Sequence, residues 1–167
     1  MISPEIIRRY PFFVGLSHEQ VGLLAQAADE LNVETGYFFF HEGDQLSELF
    51  LVREGTVEIV VEFPGKEPKA SLADQLTGEY LSQKAVVSNV GPGEVFGWSG
   101  LIRPNIASAG ARATTLCRVV AFDCMKLQEF FADDPAFGCL LIEKIAQVIA
   151  SRLSDLRIES LALKIHG

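Results

Sequence analysis

The sequence predicts a mainly β protein, an antiparallel β-sandwich or barrel, with helices flanking it at both ends. Across residues 31–120, short strand-like runs alternate with glycine-containing turns at close spacing, which is typical of antiparallel β folds. Before this region, Ser17 and Gln20 have the spacing of a helix capping box. After it, Asp134-Pro135 is a helix-start signal that precedes a long apolar periodicity.

The first long helix is expected to begin directly after Ser17. Apolar residues then recur at the spacing of one helix face, at Val21, Leu24, Ala25 and Ala28. Three apolar residues precede the cap and are expected to anchor the helix to the core: Phe12, Phe13 and Leu16.

The β region is expected to include strands at 37–40, 49–52, 56–63, 84–90 and 113–122. Glycine-containing turns at 42–44, 54–55 and 91–93 separate them. Residues 64–83 interrupt this pattern as a polar segment longer than a usual hairpin loop. We expect a surface excursion there, between two paired strands, with a short helix at 71–81.

The tail is expected to form a hinge at 123–135 and one long helix from Phe137 to Leu163. A heptad seam runs along this helix through Cys139, Ile142, Ala146, Ile149, Leu153, Leu156, Ser160 and Leu163. A second apolar stripe contains Leu141, Ile145 and Val148. Two stripes need two packing partners, so we expect the seam to form a homodimer interface; the alternative is that both stripes face one broad core.

Composition excludes several classes of protein. The chain has 167 residues and a net charge of −8 with scattered acids, so it lacks the basic surface that nucleic acid or acidic lipid requires. Its N-terminus has no apolar run long enough for a signal peptide or a membrane span. The three cysteines show no CxxC spacing, and the three histidines are dispersed, so no zinc motif is present. These features predict a cytoplasmic protein.

The strongest sign of a binding site is the stretch 90-VGPGEVFGWSGLIRPNIASAGARATT-115. Backbone amides at the start of a short glycine-flanked helix can bind an anion. A cupin-like metal site would need two histidines one residue apart. His41 could be the first, but Gly43 stands where the second belongs. No serine lies in a nucleophile elbow and no histidine is placed to activate one. We therefore expect no enzyme activity, and a cupin-like metalloenzyme is the remote alternative.

The sequence resembles the cyclic nucleotide-binding domain family over nearly its whole length. The similarity is carried by 12-FFVGLSHEQVGLLA-25, 36-GYFFFHEGD-44, 49-LFLVREGTVEIV-60, 91-GPGEVFGWSGLI-102, 111-ARATT-115 and 133-DDPAF-137. The resemblance implies an eight-stranded antiparallel jelly-roll barrel with an N-terminal helix and a long C-terminal helix that often dimerises. It implies one domain over 1–167, with a helical lead-in at 1–30, a barrel at 31–122, and a hinge and long helix at 123–167.

In that family the quoted stretch is a phosphate-binding cassette, and we call residues 96–109 the cassette segment. The resemblance implies ligand contacts from Phe96, Gly97, Trp98, Ser99, Gly100, Leu101, Arg103, Ala107, Ser108 and Ala109. Trp98 stands where the family has the glutamate that accepts the ribose hydroxyl, and Ala107 where it has the phosphate arginine. Arg103 is a candidate substitute for that arginine. Trp98 is expected either to fill the pocket mouth or to stack on a flat ligand.

These expectations describe a regulatory ligand sensor that binds a cyclic nucleotide or another phosphate-containing ligand weakly or differently. It is expected to lack cofactors and to pass its signal to a partner protein, unless the chain is a fragment whose output domain is missing. The alternative is a protein-interaction module with a vestigial pocket filled by Trp98.

Overall fold

A computed structural model of the chain describes residues 2–63 and 83–166. The chain forms two compact units, of which the first contains residues 1–29 and 121–167 and the second contains residues 30–120. The predicted surface excursion and the helix at 71–81 lie outside the described residues, except that residue 83 begins a strand.

The first unit begins with helix α1 (Pro4–Arg8), a 3-10 turn (Pro11–Phe13) and helix α2 (His18–Gln26). The predicted capping box of α2 is confirmed. The N–H of Gln20 donates to Ser17 Oγ at 3.1 Å, and the N–H of Ser17 donates to Gln20 Oε1 at 3.0 Å. The ring of Phe13 is buried and lies 5.6 Å from that of Phe122, which anchors the lead-in as expected.

Helix α2 ends before the position that its apolar spacing predicted. Ala27 caps it, and Ala28 is the first residue of strand β1 (Ala28–Val33) rather than part of the helix face. The physical reason is that the carbonyl of Ala27 accepts a hydrogen bond from the N–H of Asp123 at 2.8 Å. A bond to a residue so distant in sequence is invisible to local periodicity.

Two helices end the chain, α3 (Cys124–Asp133) and α4 (Pro135–His166). The start of α4 confirms the Asp134-Pro135 signal, and α3 occupies the predicted hinge. The two helices approach closely at Gly138, where an added Cβ would lie 2.9 Å from the Cβ of Phe131. The ring of Phe131 meets that of Phe137 edge-on, with centroids 5.2 Å apart.

Helix α4 has 32 residues and is therefore about 48 Å long. Its buried residues all lie in its first half: Phe137, Gly138, Leu141 and Ile145. The predicted seam is not buried in the same way, because Ile142, Leu153, Leu156 and Leu163 remain exposed. Within a single chain, the second stripe is therefore partly buried and the seam is largely exposed, so the two stripes do not share one core.

Eight strands are described, in two four-stranded antiparallel sheets. After β1, the strands are β2 (Phe38–Phe40), β3 (Glu48–Glu54), β4 (Val57–Phe63), β5 (Gln83–Val90), β6 (Val95–Phe96), β7 (Gly110–Ala113) and β8 (Cys117–Asp123). The first sheet has the order β1-β8-β3-β6 and the second has the order β2-β7-β4-β5. The ladder hydrogen bonds of these residues form two separate sheets rather than one closed barrel.

The single strand predicted at 113–122 was wrong, because the chain turns at 114–116 between β7 and β8. Thr114 donates to the carbonyl of Thr56 from both its N–H (2.9 Å) and its hydroxyl (3.0 Å). The N–H of Thr56 donates to the hydroxyl of Thr115 at 3.0 Å. Threonine hydroxyls therefore replace ladder bonds and direct the chain from the second sheet to the first.

Within residues 2–63 and 83–166, no helix combines the length and the apolar character needed to cross a bilayer.

We expect Asp134→Ala to destabilise the first unit. The carboxylate of Asp134 accepts bonds from the side-chain amide of Gln20 (2.9 Å) and from the N–H of Phe137 (3.0 Å), and these bonds hold its pKa below the ordinary value of 3.8. Since the folded-state pKa is lowered, this stabilisation is present above pH 3.8 and is lost as pH falls through the folded-state pKa. Circular dichroism should show a melting temperature a few degrees lower for the variant at neutral pH, and a smaller difference in acid.

The matched control is Asp133→Ala, which removes the adjacent exposed acid. Asp133 accepts no hydrogen bond among the described residues, so this change should leave the melting temperature nearly unaltered. An equal fall in melting temperature for the two variants would show that the hydrogen bonds of the Asp134 carboxylate do not stabilise the start of α4.

Candidate functional site

The cassette segment is preceded by a tight turn at 91–94. The N–H of Gly91 donates to the Glu94 carboxylate at 2.7 Å, and Gly93 has a left-handed φ of 85° that favours glycine. The turn is fixed to β3 because the N–H of Gly93 donates to the carbonyl of Val52 at 2.8 Å, and the N–H of Val52 donates to that of Glu94 at 3.0 Å. Strand β6 then pairs with β3 and leads into the site.

Gly97 is required at the next position for two independent reasons. Its φ of 77° lies in the left-handed region, where a side chain costs about 1–2 kcal/mol. An added Cβ would also lie 3.0 Å from Cδ2 of Phe50 and 3.2 Å from the carbonyl oxygen of Glu48. The glycine therefore lets the chain turn directly against the aromatic core.

A 3-10 helix follows at Trp98–Gly100. The N–H groups of Gly100, Leu101 and Ile102 donate to the carbonyls of Gly97, Trp98 and Ser99 at 3.0–3.2 Å. The backbone amides before this ladder, on Trp98 and Ser99, donate to no acceptor among the described residues. Amides left unpaired at a helix start are hydrogen-bond donors for an external acceptor.

The end of the cassette segment is fixed by an added backbone pairing. Residues 105–107 run antiparallel to the turn at 43–46, with an isolated bridge between Gln45 and Ile106. The N–H of Ala107 donates to the carbonyl of Asp44 at 2.9 Å, and the carbonyl of Ala107 accepts from the N–H of Gly43 at 2.8 Å. After this pairing, the amides of Ser108 and Ala109 again donate to no acceptor among the described residues.

Trp98 and Ala107, where the resemblance implies charged residues, differ in burial and in backbone bonding. Ala107 is buried, with 3 % of its surface exposed, and its backbone is fully hydrogen-bonded. Trp98 is half-buried. Arg103 is the only cation between residues 97 and 110, and it is exposed, with no ion pair to any described residue. The cassette segment thus presents free amides without a buried charge.

The other predicted ligand residues are all in this segment, at different depths. Phe96 and Gly100 are buried, Ser99, Leu101 and Ala109 are half-buried, and Ser108 is exposed.

Four phenylalanine rings form a cluster beneath Gly97. The rings of Phe39, Phe50 and Phe96 lie 5.0–5.3 Å apart, and Phe40 lies 6.2–6.3 Å from Phe50 and Phe96. A cavity of about 310 Å³ opens beside them, lined also by residues 44–48. Residues 37–40 were predicted only as a strand, although the run of three phenylalanines, two of which join this cluster, was a signal of aromatic packing.

Arg112, on β7, is already paired. Its Nε donates to Glu58 Oε1 at 2.6 Å, its guanidinium also contacts that carboxylate through Nη2, and Glu58 is 7 % exposed. Removing Arg112 would leave the buried carboxylate of Glu58 without this partner, so this arginine has a structural role. We therefore do not consider it a candidate for the phosphate arginine that the resemblance implies.

Metal binding would need several ligating side chains in one place. In the part of the chain that the structure describes, no three His, Cys, Asp or Glu residues are grouped in this way.

Comparison with known proteins places this geometry in a family context. The family model described as "Cyclic nucleotide-binding domain" matches residues 30–134. A CRP-like cAMP-activated global transcriptional regulator from Mycobacterium tuberculosis is 23 % identical over 149 residues, which is 89 % of this chain. The chain spans 58 % of that regulator's length.

Two solved structures show the same fold. A Geobacter metallireducens protein described as cyclic nucleotide-binding is 33 % identical with a TM-score of 0.73, over 92 % of this chain and 99 % of its own. The catabolite activator protein of Thermus thermophilus is 25 % identical with a TM-score of 0.66, over 92 % of this chain and 63 % of its own.

We expect Gly97→Ala to destabilise the second unit by more than its conformational cost of about 1–2 kcal/mol. The extra loss comes from the contacts that the new Cβ would make with Phe50 and Glu48. Urea denaturation followed by circular dichroism measures the change in the free energy of unfolding.

Gly36→Ala is the matched control. Gly36 has a similar φ of 89°, but an added Cβ there would meet nothing within 4 Å. In this variant the free energy of unfolding should fall only by the conformational cost of a positive φ. An equal fall in the two variants would contradict close packing at Gly97.

Proposed function

This chain belongs to the cyclic nucleotide-binding domain family, and we propose that it is a non-enzymatic regulatory domain whose ligand is held by the backbone of the cassette segment. The observation that carries this proposal is the set of four amides, on Trp98, Ser99, Ser108 and Ala109, that have no acceptor among the described residues. These amides suit an anionic or carbonyl-rich ligand, because backbone N–H groups donate hydrogen bonds to the oxygens of such a ligand.

The same site is expected to bind an ordinary cyclic nucleotide weakly. Neither Trp98 nor Ala107 offers a charge, and the net charge of −8 disfavours an anion at long range. Arg103 is the one cation in the segment, and we propose it as the side chain that approaches a bound phosphate. Phosphate binding would then rest on amides and on one exposed arginine.

We take the two sheets to be the walls of the family's eight-stranded jelly roll within one domain over 1–167. We propose that two copies pair through the exposed seam of α4 and that a partner protein receives the signal. The acidic surface supports a cytoplasmic protein that binds neither nucleic acid nor membrane.

A second candidate function is a protein-interaction module with a vestigial pocket. It is favoured by the burial of Ala107, whose site has closed around a methyl group, and by the phenylalanine cluster beside the cassette segment.

Calorimetry on the native protein and on Trp98→Glu with Ala107→Arg tests the ligand site. A missing partner of a charged pair costs roughly 2–5 kcal/mol, so we expect cyclic AMP to bind the native protein on the order of a hundredfold more weakly than the double variant. The reversed double variant, Trp98→Arg with Ala107→Glu, has the same charges in exchanged positions and should not bind.

Tight binding of cyclic AMP by the native protein would contradict the weak site and implicate Arg103, which Arg103→Ala would then check. A folded double variant that does not bind would favour the interaction module instead.

Light scattering at tens of micromolar tests the dimer. Leu156 lies on the seam, and we expect Leu156→Glu to convert dimers to monomers because a charge there would have to be buried between helices. Ile158 is equally part of α4 and is more exposed, but it lies off the seam, so Ile158→Glu should remain dimeric. A monomeric mass for the native protein would end the dimer proposal.

A further inference from the structure

Asn105 makes an unusual set of hydrogen bonds within the cassette segment. Its side-chain Nδ2 donates to the carbonyls of Ser99 (3.1 Å) and Gly100 (2.8 Å). Its own N–H donates to the carbonyl of Ile102 at 2.9 Å, and its carbonyl accepts from the N–H of Leu46 at 2.7 Å. One half-buried residue thus connects the 3-10 helix to the turn at 43–46.

The backbone of Asn105 is suited to this role. Its φ is 64°, and among the described residues it is the one residue other than glycine with a positive φ. Asparagine tolerates this conformation better than most residues, and its amide supplies two N–H donors. Glycine tolerates the conformation but has no side-chain donor, and glutamine has the donors without the same tolerance of a positive φ.

The helix that Asn105 contacts needs external support. A 3-10 helix of three residues has few hydrogen bonds of its own, and helix nucleation is costly. Asn105 fixes the carbonyls of Ser99 and Gly100. The carbonyl of Gly100 is left over at the helix end, and that of Ser99 also accepts from the N–H of Ile102. Since a peptide unit is planar, fixing a carbonyl also fixes the N–H of the following residue. The direction of the short helix is set by this bonding.

We propose that Asn105 is the positioning residue of the candidate site, holding the cassette helix so that the amides of Trp98 and Ser99 stay aligned and unpaired. The part of this inference that concerns a ligand rests on the proposed function. Asn105 itself need not touch the ligand, because its bonds are to carbonyls at the opposite end of the helix from the free amides.

The test uses two variants of the full chain. Asn105→Gly keeps the positive φ but removes both side-chain bonds. Asn105→Asp keeps the shape but places a carboxylate against two carbonyls. Asn32→Asp is the control for charge and residue type, since Asn32 lies on β1 and its Oδ1 accepts from Arg118 at 3.2 Å.

Amide hydrogen exchange measured by NMR gives the first readout. In both Asn105 variants, exchange at Gly100 and Leu101 should be at least about tenfold faster, the equivalent of two ordinary hydrogen bonds. Amides of β4 should keep their native protection, as should all amides in Asn32→Asp. Native protection at Gly100 and Leu101 in both variants would overturn the proposal, and so would an equal loss throughout the second unit.

Titration with inorganic phosphate gives the second readout, through shifts of the amides of Trp98 and Ser99 and of the chain's single indole. The native protein and Asn32→Asp should show the same midpoint, and the Asn105 variants one at least about tenfold higher. Native midpoints in the Asn105 variants would refute positioning. No shift in the native protein would refute the anion site, while the exchange result would still decide the role of Asn105.

If both Asn105 variants fail to fold, the native protein provides the decisive measurement. The side-chain N–H protons of Asn105 should exchange slowly, because both carbonyl acceptors are close. Rapid exchange of these protons, like that of a solvated amide, would overturn the proposal.

Discussion

The contact between Gly55 and the turn at 114–116 is the constraint on which the two sheets depend. The chain changes sheet several times, and two of these crossings are from β3 to β4 and from β7 to β8. Both crossings meet at this point, where any Cβ on Gly55 would collide with the carbonyl of Leu116. Thr56 then binds Thr114 and Thr115 through backbone and hydroxyl groups. Strands β6 and β7 lie on either side of the cassette segment. They pair with β3 and β4, and the connection between β3 and β4 is fixed by this contact.

The features that were predictable from sequence have short-range causes. The capping box at Ser17 and Gln20 involves residues three apart, and the start of α4 follows from Asp134-Pro135 itself. The features that were missed depend on distant partners. Helix α2 ends because Ala27 pairs with Asp123, and the strand at 113–122 breaks because Thr114 pairs with Thr56. No window of neighbouring residues contains that information.

The features of the candidate site can also be separated into those that the sequence predicted and those that it did not. The candidate cassette segment, with Trp98 and Ala107 where the resemblance implies charged residues, was proposed from the sequence because the family pattern implies its spacing. The phenylalanine cluster and the bonds of Asn105 were not visible, since each joins residues from separate turns or strands. Under the proposed function, the backbone of a binding site is kept with changed side chains, which is how one fold can accept a new ligand or lose one.

The last fourteen residues of α4, 153–166, are exposed throughout. Isolated helices of fewer than about 12–15 residues are only marginally stable in water, so in a single chain this segment has little beyond its connection to the buried half to keep it helical. If two copies pair along the seam, folding of this segment becomes linked to association. Protein concentration then acts as an input in its own right, alongside any ligand, because mass action favours the paired and ordered form.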